Sequence, residues 1–209
     1  MKKVIFLITA VVAMISTGCD IHDDWGDGLP EYEHVYYVGF YKTGTYLDYL
    51  TYEITQNGSA RWRYAANATS GTWITVDEQW VVTIPMRLYS ERVRNYDAVT
   101  YFWVYNLGES ALTAGVDYTV SLENGTVLTP NPNGAYSLTW PQTKKGIQNV
   151  RIKRSESSSN GTLRVNFFDP SKDAPSEQDP LTAIQNKTAE YEIRCITADN
   201  NRVTVNFTN

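Results

Sequence analysis

The sequence predicts an all-β sandwich, and three observations carry that expectation. Apolar and polar residues alternate along short runs, no segment after residue 35 holds an apolar stripe at helical spacing, and Asn-Gly pairs punctuate the runs. Asparagine and glycine tolerate the positive φ of tight hairpins, so short strands at this spacing belong to a sandwich or barrel.

Twelve strands are expected. The first six are Val35 to Tyr41, Tyr49 to Gln56, Ala60 to Tyr64, Thr72 to Val76, Trp80 to Leu88 and Val99 to Asn106. The other six are Asp117 to Leu122, Ala135 to Trp140, Ile147 to Arg154, Thr162 to Phe168, Glu190 to Thr197 and Arg202 to Phe207. Turns fall at Asn57-Gly58, Asn124-Gly125, Asn133-Gly134 and Asn160-Gly161, with Ser155 to Asn160 as a hairpin tip.

Two strands have a distinctive pattern. Val150 to Arg154 and Arg202 to Phe207 alternate cleanly, which gives each one wet face. Val99 to Tyr105 is bulky on both faces and reads as a central strand, either covered on both sides or exposing aromatics to a ligand. The stretch Asp169 to Thr188, with Pro170, Pro175 and Pro180, is the one long irregular segment, a lid or a mobile connection. One sandwich over residues 34–209 is the simpler organisation, and two small β subdomains broken near 89–97 are the alternative.

The N-terminus points to export. Lys2 and Lys3 precede an apolar run, Val4 to Ile15, that is shorter than the about 20 residues a membrane-spanning helix needs. Ser16-Thr17-Gly18-Cys19 then resembles the lipobox of bacterial lipoproteins, in which a signal peptidase removes residues 1–18 and the cysteine is lipidated. The resemblance implies anchoring of Cys19 in a membrane through its acyl chains. Residues 19–33 form an acidic tether, and an acidic cluster behind the cysteine resembles the surface-export signal of Bacteroidetes lipoproteins. A linker without a sorting role is the alternative. Asp20 to Glu33 can span at most roughly 50 Å when fully extended.

Charge and cysteine usage narrow the function. Taking Lys2 and Lys3 from the 18 basic residues leaves 16 against 23 acidic ones, a formal charge of −7, which argues against nucleic acid as a partner. With Cys19 carrying lipid, Cys195 is the remaining thiol and no intramolecular disulfide can form. Cys195 alternates with Glu192 and Arg194 as a small inward-facing hydrophobe.

The two histidines, His22 and His34, lie in or beside the tether, which argues against Ser-His-Asp, Cys-His or histidine-zinc chemistry in the domain. A glycosidase needs two suitably separated acids, and Glu53, Asp77, Glu78, Glu91, Asp97, Glu109 and Asp117 are too many unordered candidates to single out a pair. The expectation is a non-enzymatic protein without metal or cofactor.

Six tryptophans and 15 tyrosines exceed what a core of this size needs. Flat aromatic faces suit the C–H faces of sugars, with neighbouring polar groups bonding the hydroxyls. The candidate binding residues are Trp62 and Tyr64 with the flanking Arg61 and Arg63, and Trp73 beyond a glycine-containing turn. Core filling is the competing role for each ring.

A family resemblance rests on Val81 to Leu88, Ala111-Leu112-Thr113-Ala114-Gly115-Val116-Asp117-Tyr118, Leu138-Thr139-Trp140-Pro141 and Ile147 to Ile152. This order resembles the Calx-β-like, immunoglobulin-type domains of Bacteroidetes lipoproteins, whose hallmark is Ala-x-x-Gly-x-Asp-Tyr. Physically, Gly115 turns the chain, Asp117 bonds nearby amides and Tyr118 fills the core. The resemblance implies a surface-exposed outer-membrane lipoprotein with a glycan-binding accessory role beside a polysaccharide-uptake system. The alternative is a structural or assembly module, such as a transporter partner or fimbrial component. The calcium-binding acidic cluster of exchanger Calx-β domains has no counterpart here and is not carried over.

Overall fold

The computed structural model describes residues 35–40, 50–64, 72–90, 96–142, 145–167, 186–187, 192–195 and 202–209. The export signal, Cys19, the tether, most of segment 169–188 and residues 91–95 of the expected subdivision lie outside them, as do Glu91 and the side chains of Tyr64 and Cys195.

Thirteen strands run along these residues: β1 (Val35–Phe40), β2 (Leu50–Thr55), β3 (Ala60–Tyr64), β4 (Ile74–Val76), β5 (Val81–Ser90), β6 (Ala98–Asn106) and β7 (Tyr118–Leu122), then β8 (Ala135–Trp140), β9 (Lys145–Arg154), β10 (Gly161–Asn166), β11 (Asn186–Lys187), β12 (Glu192–Cys195) and β13 (Arg202–Thr208). They form a six-stranded sheet, β11-β12-β1-β5-β9-β7, and a seven-stranded sheet, β4-β3-β2-β13-β10-β6-β8. The protein is an all-β, two-sheet sandwich. Each of the expected runs contains a strand, and β11 is an added one, inside the segment expected to be irregular.

One hydrophobic core lies between the sheets. The six-stranded sheet contributes Val38, Ile84, Met86, Val150 and Ile152, and the seven-stranded sheet Tyr52, Ile54, Phe102, Leu138, Leu163 and Val205. Alternation accounts for this directly, since residues i and i+2 of a strand share a face. The indole N–H of Trp140 donates to Thr100 Oγ1 at 2.8 Å, so that ring enters the core with its polar atom satisfied.

The Ala111 to Tyr118 stretch takes the structural roles expected of it. Gly115 has φ +81°, the Asp117 carboxylate accepts from the Thr113 amide at 2.8 Å, and Tyr118 is buried with its ring edge-on to Phe207. Asn106 holds the start of the stretch, donating to the Leu112 carbonyl and accepting from its amide, both at 2.9 Å.

One local expectation is corrected. Ser155 to Asn160 is not a hairpin tip, because β9 and β10 belong to different sheets and the segment crosses between them. It wraps the end of β9, where Arg154, only 1% exposed, donates to the carbonyls of Ile54, Thr208 and Ser158 and to Asn160 Oδ1. As expected of Val99 to Tyr105, β6 is an interior strand, flanked by β10 and β8.

Candidate ligand-binding face

The outer face of the seven-stranded sheet follows from the pleat. Tyr52, Ile54, Val203, Val205, Leu163, Val165 and Phe102 point into the core, so their neighbours along each strand point out. On β2 and β13 those neighbours are Thr51, Glu53, Thr55, Arg202, Thr204, Asn206 and Thr208, mostly short polar side chains that make its floor.

One bank of that floor is built by β3 and the approach to β4. Arg61 and Arg63 share the outward face of β3, and both guanidiniums lie against the Trp73 ring, at 4.6 and 4.5 Å from its centre. Such cation–π contacts restrain both long arginine side chains against the indole. Arg61 also donates through Nε to Glu53 Oε1 at 2.7 Å, and the pair is in register across β3 and β2. Burial of Glu53 is therefore paired with a charge-assisted hydrogen bond.

The structure thus brings together three of the residues expected to bind: Arg61, Arg63 and Trp73. Trp62 faces the other way and packs, partly buried, against the core, because the same alternation that exposes its two arginine neighbours turns it inward.

The opposite bank falls on Val99 to Tyr105, for which exposure of aromatics to a ligand is one of two expectations, although its rings are not among the candidate binding residues. Along β6, Tyr101, Trp103 and Tyr105 alternate with buried Thr100 and Phe102, so all three partly exposed rings share the outward face. Arg164 on β10 lies in register with Tyr105, and Arg202 on β13 pairs with Asn166. Burial raises the Tyr105 phenol above its ordinary 10.0, while the positive charges of Arg164 and Arg202 act in the opposite direction. Trp103 leans toward the Asn133-Gly134 turn, and its Nε1 is buried without a hydrogen-bond partner. The signal for this bank was present as aromatics at every second position of β6; for Arg164 and Arg202 it required the strand order.

A single register line joins the banks: Arg63, Thr51, Thr204, Arg164 and Tyr105 lie side by side on β3, β2, β13, β10 and β6. Four inter-strand steps make this line about 19 Å long.

The acidic residues are dispersed. Glu53 is on this face, whereas Glu78 pairs with Arg151 of the other sheet and Asp117 caps the Thr113 amide. Asp77, Asp97 and Glu109 are exposed. Among the described residues, no three His, Cys, Asp or Glu side chains are grouped so as to hold a metal ion.

Fold and face together define a β-sandwich whose seven-stranded sheet carries arginine and aromatic side chains on either side of a strip of mostly shorter polar ones. No protein-family model matches the chain, and no curated protein matches it.

Proposed function

We propose that this chain is a lipid-anchored surface protein that binds polysaccharide in the groove across its seven-stranded sheet. The observation that carries the reading is the register line from Arg63 to Tyr105, with Trp73 behind one end and Tyr101 and Trp103 beside the other. Rings at the banks offer apolar faces to sugar C–H groups, and threonine and asparagine on the floor offer hydrogen bonds to hydroxyls. An open, shallow groove of this length admits the middle of a long polymer, where a closed pocket would take only an end. The lipobox-like Ser16 to Cys19 and the acidic tether support placement of the domain outside the outer membrane, where it would hand a glycan to an uptake system.

Affinity electrophoresis through gels containing a panel of neutral and acidic polysaccharides tests the reading. The expected result is retardation by at least one polymer, weakened at least about tenfold by Tyr105→Ala. Unretarded migration in every gel would overturn it and leave the assembly-module alternative.

A further inference from the structure

Arg154 is a buried cation bonded to neutral groups. It is only 1% exposed, and its acceptors are the carbonyls of Ile54, Thr208 and Ser158 and the side-chain amide oxygen of Asn160. Among the described residues, no carboxylate forms an ion pair with it. A buried charge is costly unless an opposite charge accompanies it. Of these acceptors only Asn160 can acquire one, because hydrolysis of its side-chain amide leaves an aspartate of almost the same shape.

We propose that Asn160 is a self-modification site, deamidated after folding to an aspartate that neutralises Arg154. Asn160 is exposed to water, its Oδ1 accepts from Arg154 Nη2 at 3.1 Å, and its Nδ2 donates to Asn209 Oδ1 at 2.6 Å. Gly161 follows it, with no side chain to hinder the approach of its amide nitrogen to Cγ. That nitrogen loses its proton to solvent and bonds to Cγ, the Cγ–Nδ2 bond breaks, and ammonia leaves after taking a proton from water. A five-membered imide remains. Water then adds at Cγ, the ring Cγ–N bond breaks, the nitrogen regains a proton, and aspartate stands on an unaltered main chain. Addition at the other imide carbonyl would give isoaspartate instead. Arg154 favours the first course, since attack at Cγ develops negative charge on Oδ1, where a positioned cation stabilises it.

The other Asn-Gly pairs are controls within the same chain. Asn57 Oδ1 accepts from the Thr55 hydroxyl and the Ser59 amide, Asn124 Oδ1 from the Thr126 amide and Asn133 Oδ1 from the Ala135 amide, all neutral donors. The folded chain is incubated in mildly alkaline buffer and mapped by peptide mass spectrometry, with a protease that cuts before aspartate but not before isoaspartate. Incubation of the urea-unfolded chain sets the time over which an Asn-Gly pair converts. The expected result is conversion of Asn160 about tenfold faster than of Asn57, Asn124 or Asn133 in the folded chain, the margin between hydrogen bonds from charged and from neutral donors. Aspartate should be its main product. Asn160→Asp should raise the urea midpoint above that of the chain with Asn160, whereas Asn124→Asp should not. Asn160 left intact over the time set by the unfolded chain, conversion no faster than at the other pairs, or isoaspartate as the main product would overturn the inference. So would a midpoint for Asn160→Asp at or below that of the parent.

Discussion

Arg154 Nη1 donates to the carbonyl oxygen of Ile54 at 2.8 Å, although the two residues stand 100 positions apart and belong to different sheets. The same guanidinium reaches the carbonyl of Thr208 at the end of β13 and lies over the Phe207 ring, so one side chain pins β9 to both strands that floor the proposed groove.

Removing this arginine should loosen the sandwich at that end. Arg154→Met fills similar space but leaves three carbonyls and an amide oxygen without their donor, at a cost of about 3 kcal/mol. Urea unfolding checks this as a lowered midpoint with an unchanged slope. Stability equal to that of the parent would show that these bonds add nothing net.

Gly58 carries a second strict requirement. It has φ +84°, and a Cβ at this position would fall 2.6 Å from the Trp80 ring. Gly58→Ala therefore combines a left-handed backbone with a steric clash, and should cost about 2 kcal/mol or more. Gly108 has φ +66° with no atom near the added Cβ, so Gly108→Ala should cost only the backbone part, about 1 kcal/mol. Thermal melts of the two variants should differ in that order.

Alkaline pH probes the core tyrosines. Burial raises the Tyr118 phenol above its ordinary 10.0, and Tyr136 is raised for the same reason. Above pH 10 the unfolded chain loses these protons while the folded chain keeps them, so the folded state binds more protons. Their contribution is intact below the unfolded value and is lost as pH rises past it. Denaturant melts from about pH 9 to about pH 11 should show falling stability, with a shallower fall for Tyr118→Phe.

The fold was legible because strand period and turn chemistry are local. Tyr191, Ile193 and Cys195 alternate with polar neighbours in any register, and Asn57-Gly58 makes its hairpin between adjacent strands. Sheet membership was not local. Asn160-Gly161 has the same dipeptide yet lies at a crossover, where Gly161 gives room to Leu112, whose side chain would come within 3.0 Å of an added Cβ.

The site was half legible for the same reason. Arg61, Arg63 and Trp73 are close in sequence and meet in space, so their pattern announced them. Trp62 was misplaced on the wet face because an aromatic between two arginines reads as exposed until the inward alternation of Ala60 and Trp62 is known. Arg164 and Arg202 reach the groove only because β13 inserts between β2 and β10, a long-range pairing that no window of residues encodes.

The central claim is that polysaccharide lies across the outer face of the seven-stranded sheet, and the tryptophans report on it separately. Trp73 and Trp103 stand on that face, whereas Trp140 is 1% exposed and bonded inside the core. Titrating the protein, labelled with 15N at its indoles, with the glycan it binds most tightly should move the Trp73 and Trp103 signals while that of Trp140 stays fixed. Saturating glycan that leaves both Trp73 and Trp103 unmoved would contradict the account.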